Sequence, residues 1–173
     1  MAAQEPDMGS FRETLQSSAA RILLPAHFDP TTYRIIPKPA THVLHDQDKI
    51  DLGGRSLRVL HTPGHSPGHV VYLDEARGIL FTGDTAYQGP LFACFERSSP
   101  VDFAQSVKRL ARLPSVKVIC PGHNDPITTP GWLNKLAEYV EAAVSGQAEG
   151  QARDCFVVGR EFRFGALSVW LPE

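Results

Sequence analysis

Apolar positions along this chain follow two different periods. Residues 56–62, 70–73 and 79–82 are short runs bounded by turn residues. Val70-Val71-Tyr72-Leu73 and Ile79-Leu80-Phe81-Thr82 are apolar at nearly every position, the pattern of strands covered on both faces. Residues 74–78 between them read as a hairpin turn, and the polar stretch 46–54 ends in Gly53-Gly54, a second hairpin signal. Thr41-His42-Val43-Leu44 reads as a further short strand, and residues 116–120 as another. The period then changes. Ser99-Pro100-Val101-Asp102 is a helix start, with a Ser cap, Pro in the first turn and an acidic third position. Phe103, Val107, Leu110 and Ala111 follow on one face, and Pro114 stops that helix. Thr129-Pro130 starts a second helix, with Trp132, Leu133, Leu136, Val140, Ala143 and Val144 on one face and Gly146 at its end. Residues 156–159, 161–164 and 167–171 read as closing strands around Gly165.

The first forty residues are less regular. Ser10-Phe11-Arg12-Glu13 has the form of a capping box, and Phe11, Leu15, Ala19 and Ile22 predict a helix over residues 11–22. Residues 25–39 hold four prolines and predict an irregular loop. The division expected is an N-terminal helix and loop (residues 1–40) followed by one mixed α/β domain (residues 41–173). Hairpins alternating with helices imply a mixed sheet with helices on its outer faces.

Composition narrows the function. At 173 residues, 42% hydrophobic and 21% charged, the chain is globular. A net charge of -2 gives no electrostatic footprint for nucleic acid, and nuclease activity is disfavoured. No apolar run approaches the ~18 residues of a membrane span. No leader is visible at the acidic, polar start, so the expected location is cytoplasmic. Cys94, Cys120 and Cys155 are odd in number and widely spaced, which fits buried free thiols and not a disulfide framework. Cys94 has no adjacent base and is not a nucleophile candidate.

Three fragments carry the chemistry: Thr62-Pro63-Gly64-His65-Ser66-Pro67-Gly68-His69, Thr82-Gly83-Asp84-Thr85 and Pro121-Gly122-His123-Asn124. Each sets one metal-competent side chain, His65, Asp84 or His123, behind an apolar strand and a small or rigid residue. Such a turn holds a ligand at a fixed angle, and imidazole with carboxylate is a zinc-compatible set. His61 reads as a strand residue pointing elsewhere, and His42 and His45 as surface residues.

With these fragments the chain resembles the metallo-β-lactamase superfamily, from about Thr41 onward. Asp46-Gln47-Asp48-Lys49-Ile50-Asp51-Leu52-Gly53-Gly54 also matches, and the texture is similar to the acyl-CoA thioesterase-like and glyoxalase II-like branches. The resemblance implies an αββα sandwich, two zinc ions per intact site and a small acyl substrate such as a thioester. It makes His65 a ligand of the first zinc, Asp84 the bridge and catalytic centre, and His123 a ligand of the second. His69 becomes an outer partner that orients the loop, and Tyr87 either contacts substrate or packs. The family's His-x-His-x-Asp-His cluster is absent, since only His27 precedes Thr41. The expectation is therefore an incomplete sandwich lacking the opening strands and first metal loop, with two ligands per zinc where catalysis needs three. Two readings stay open: an acyl hydrolase impaired in this short form, or a catalytically inactive binding or regulatory protein or truncated isoform. In either, a homodimer would cover the face left open.

Overall fold

A computed structural model of the chain describes residues 39–154 and 158–173, together with 25, 27–29 and 32. The helix expected over 11–22, most of the 25–39 loop, Cys155 and the first two residues of the 156–159 strand lie outside the described residues. The chain divides between Val43 and Leu44, and the second unit carries every element named below.

Nine strands and two helices run from Lys49 onward among the described residues. The first sheet holds β1 (Lys49–Asp51), β2 (Ser56–His61), β3 (Val70–Asp74), β4 (Ile79–Gly83) and β6 (Val118–Pro121), side by side in the order β1-β2-β3-β4-β6. Neighbours are antiparallel except β4 and β6, which run parallel. The second sheet is β5 (Pro90–Phe92), β9 (Leu167–Leu171), β8 (Val158–Phe164) and β7 (Gln151–Asp154), in that order. The helices are α1 (Pro100–Ala111) and α2 (Trp132–Val144), which pack on each other, while α2 also meets β9. The molecule is thus a mixed α/β structure of two sheets and two helices. No helix among the described residues is long and apolar enough to cross a membrane.

Cross-strand register explains the core. Leu60 faces Val71, Leu73 faces Leu80, and Leu80 faces Ile119, so these side chains share one side of the first sheet. They join Phe103, Val107 and Leu110 of α1, Leu136 and Val140 of α2, and Leu91, Phe162 and Val169 of the second sheet in one hydrophobic cluster. α1 begins as its sequence implies. Ser99 is extended, and its hydroxyl accepts from the Asp102 N–H at 3.3 Å.

Several expectations are corrected. Residues 41–44 form no strand; Val43 is 72% exposed and finds no partner strand among the described residues. α2 starts at Trp132, two residues beyond Pro130, because Gly131 takes a left-handed φ of 72° and breaks the chain there. The runs 156–159 and 161–164 join into β8 where they are described. β1, β5 and β7 had no counterpart among the expected strands.

Candidate metal centre

The three fragments meet at one end of the first sheet. β4 and β6 are parallel neighbours, with Gly83 opposite Pro121, so both strands end at the same place. Asp84 follows β4 and His123 follows β6. The Gly122 N–H donates to the Gly83 carbonyl at 2.9 Å. A Cβ on Gly122 would come within 3.1 Å of that carbonyl and 3.3 Å of Asp84 Oδ1, so glycine permits the approach. His65 arrives from the loop between β2 and β3.

That loop is clamped to α1 and to the two residues before it. The Pro63 carbonyl accepts from the Ser106 hydroxyl at 2.7 Å, and the Gly64 carbonyl accepts from the Ser99 N–H at 2.8 Å. The His65 carbonyl accepts from the Ser98 hydroxyl at 2.7 Å. Gly64 has φ 136°, and a Cβ there would sit 2.3 Å from Phe103 Cα. At the base of the loop, Arg109 reaches the His61 carbonyl at 3.0 Å and Asp46 at 2.9 Å. That guanidinium holds the Asp46 carboxyl well below the usual carboxylate range, helped by Gln47 and the His61 N–H against some burial.

The two oxygens of Asp84 serve two different histidines. His65 Nε2 lies 3.6 Å from Oδ2, and His123 Nε2 lies 3.0 Å from Oδ1. His65 Nδ1 is 2.8 Å from the Phe92 carbonyl, which can only accept, so the ring carries a proton on Nδ1. In the neutral ring Nε2 then shows a lone pair to a carboxylate. A metal ion placed between the two would be met by both. A backbone carbonyl on the far nitrogen is also how metal-bound histidines are commonly oriented.

His69 lies beneath this pair. Its Nε2 accepts from the Asp84 N–H at 3.1 Å, which puts the ring proton on Nδ1, between the Thr62 and Thr85 hydroxyls at 3.0 Å each. Both nitrogens are therefore engaged. Burial pushes the His69 pKa down, with the His65 and His61 rings adding to it and Asp84 opposing. A Cβ on Gly83 would come within 2.9 Å of Nε2, so the glycine before Asp84 admits the ring. His61 points away from the centre, with Nε2 donating to the Pro67 carbonyl at 2.9 Å.

Tyr87 is 4% exposed and its hydroxyl donates to the Pro90 carbonyl. Its pKa is pushed up to about 12, by burial first and by the Asp84 charge second. Its ring stands edge-on to His123, centroids 5.1 Å apart. Tyr87, Pro90, Phe92 and Phe95 wall an open cleft of about 520 Å³ around His65, Asp84 and His123. Phe95 stands edge-on to His65 at 5.3 Å and is 37% exposed.

The donor set fits a metal in kind and direction: one carboxylate, with one imidazole nitrogen at each oxygen. It falls short in number. Among the described residues no three His, Cys, Asp or Glu side chains gather as a metal group. Each side of Asp84 offers two ligands where a catalytic zinc takes three. These side chains do not by themselves complete a catalytic metal site.

Sequence reasoning missed the partners that orient these side chains. Thr62 and Thr85 stand inside the quoted fragments, and their hydroxyls could have been matched to His69. The Phe92 carbonyl and Phe95 had no such signal, because β5 was not foreseen.

The family model for the metallo-beta-lactamase superfamily matches residues 2–123, which begins well before Thr41 and ends at His123. An acyl-coenzyme A thioesterase MBLAC2 from Bos taurus is 34% identical over 114 residues, 64% of this chain and 41% of that protein. A hydroxyacylglutathione hydrolase from Aeromonas salmonicida is 38% identical over 104 residues, 60% of this chain and 37% of that protein. The chain thus spans about two fifths of the length of these relatives. A crystal structure of a metallo-beta-lactamase family protein from Thermus thermophilus superposes with a TM-score of 0.56 at 29% identity, covering 66% of this chain and 38% of that one. Motif, strand register and family match converge, and the chain belongs to the metallo-beta-lactamase superfamily.

Proposed function

We propose that this chain supplies one part of a metal-dependent hydrolase site that acts on a thioester or related acyl bond. Asp84 bridges two metal ions, His65 serves the first and His123 the second, and zinc is the metal that suits this set. The observation that carries the reading is the pair of imidazole nitrogens at the two Asp84 oxygens, with His65 Nδ1 already committed to the Phe92 carbonyl. His69 holds the Asp84 backbone through its N–H, and Tyr87 walls the cleft behind His123. Bound zinc would polarise the acyl carbonyl and lower the pKa of a bound water. A complete site needs ligands beyond these three, and the chain holds no His-x-His-x-Asp-His cluster to supply them. The relatives named as a thioesterase and a hydroxyacylglutathione hydrolase motivate the acyl substrate.

The shortage of ligands among the described residues favours a second reading, a binding protein on the same scaffold without hydrolysis. Metal content by plasma mass spectrometry, on size-fractionated protein equilibrated with limiting zinc, separates the two. About two zinc ions per chain with thioester hydrolysis supports the hydrolase. No retained zinc and no hydrolysis removes it and leaves the binding protein.

A further inference from the structure

We infer that Asn124 is a positioning residue that fixes the direction of His123 toward Asp84. His123 needs such a device. Its side chain is 61% exposed, yet its Nε2 stands 3.0 Å from Asp84 Oδ1. Packing alone does not hold it, since one ring, Tyr87, stands against it. His65 is better restrained, by the Phe92 carbonyl at Nδ1 and by Phe95. The orientation of His123 therefore comes from its backbone.

That backbone is tied on both sides to the segment that carries Asp84. Before His123, the Gly122 N–H donates to the Gly83 carbonyl. After it, the Asn124 amide donates to the Gln88 carbonyl, 36 residues away in sequence. The two ties bracket His123, and their acceptors bracket Asp84. Asn124 takes φ 62°, a left-handed conformation that asparagine tolerates better than most residues. The turn and the amide act together: the left-handed backbone reverses the chain just past His123 and brings the side chain back over Gln88. Gly89 completes the fit, since a Cβ there would come within 3.1 Å of the Asn124 amide nitrogen.

This inference rests on the reading of His123 as a metal ligand, and the test separates the two. Asn124→Gly keeps the left-handed turn and removes the tie; Asn124→Asp keeps size and turn and removes the donor. Zinc affinity is measured by competition with a chromogenic chelator, and cobalt(II) is used as a spectroscopic stand-in. Both variants are expected to bind zinc about 10–100-fold more weakly, with an altered cobalt absorption band. Ser115→Gly, at another residue with positive φ (64°), is the control and keeps wild-type affinity. Wild-type affinity and an unchanged cobalt band in both variants overturn the inference while leaving the metal reading intact. Should the wild-type chain bind no metal, that reading fails instead. The His123 ring signal in the metal-free chain, assigned with His123→Ala, then decides the inference. A shifted or broadened signal in both variants supports it, and an unchanged one overturns it.

Discussion

Asp84 is held from below before anything binds above it. Its backbone N–H is consumed by His69, whose other nitrogen lies between two fully buried threonine hydroxyls. Replacing His69 by Ala leaves that N–H and those hydroxyls unpaired, at a cost of about 1–3 kcal/mol. Zinc binding should weaken about 10–100-fold without vanishing, whereas Asp84→Ala should abolish it. Isothermal titration of both variants checks the contrast, and full zinc retention by Asp84→Ala would sink the bridging role. Asp46 makes a different residue-level prediction. Its folded pKa lies below the ordinary value of about 3.9, so its pairing with Arg109 stabilises the fold above that pH and is lost as pH falls. Asp46→Asn should lower the melting temperature at pH 7, with the gap closing as pH drops below about 4. Because the pair is partly exposed, high salt should narrow the gap too.

Among elements, the β2–β3 loop and α1 behave as one unit. Three carbonyls of the loop are satisfied by Ser98, Ser99 and Ser106, and Gly64 lies against the α1 backbone at Phe103. Gly64→Ala combines a disfavoured φ with a clash against main chain, and should cost at least about 1–3 kcal/mol. Ser99→Ala removes the cap alone, at about 1 kcal/mol. Urea unfolding of the two variants should rank them in that order. Legibility in the sequence followed the same physics. β2, β3, β4 and α1 were readable because long apolar runs or a strong cap marked them, and His65, Asp84 and His123 because small residues preceded each. β5 is three residues long with only Leu91 buried, too short to show a period, and β7 is Gln151-Ala152-Arg153-Asp154, exposed throughout, so it carries no burial pattern. Val43 and Leu44 carry an apolar pattern but find no partner strand among the described residues, so alternation alone misled. Contacts such as His65 on the Phe92 carbonyl depend on backbone placement across 27 residues, which side-chain chemistry does not encode locally.

At the scale of the molecule, one hydrophobic cluster among the described residues joins both sheets and both helices, and Phe103 stands in it with 0% exposure. Phe103→Ala should cost about 3–5 kcal/mol and loosen the His65 loop with it, read as faster hydrogen exchange at residues 63–66. The parallel pairing of β4 with β6 has a different bearing. The spacing of Asp84 and His123 is written in a ladder of interstrand hydrogen bonds, and the 38 residues between them are an excursion that leaves and returns. Such a pair behaves like two pins of one socket. The chain can be cut in the turn after α1, or its ends moved there, and the pins keep their separation so long as the ladder forms. His65 has no share in that immunity, because its anchor is α1 itself.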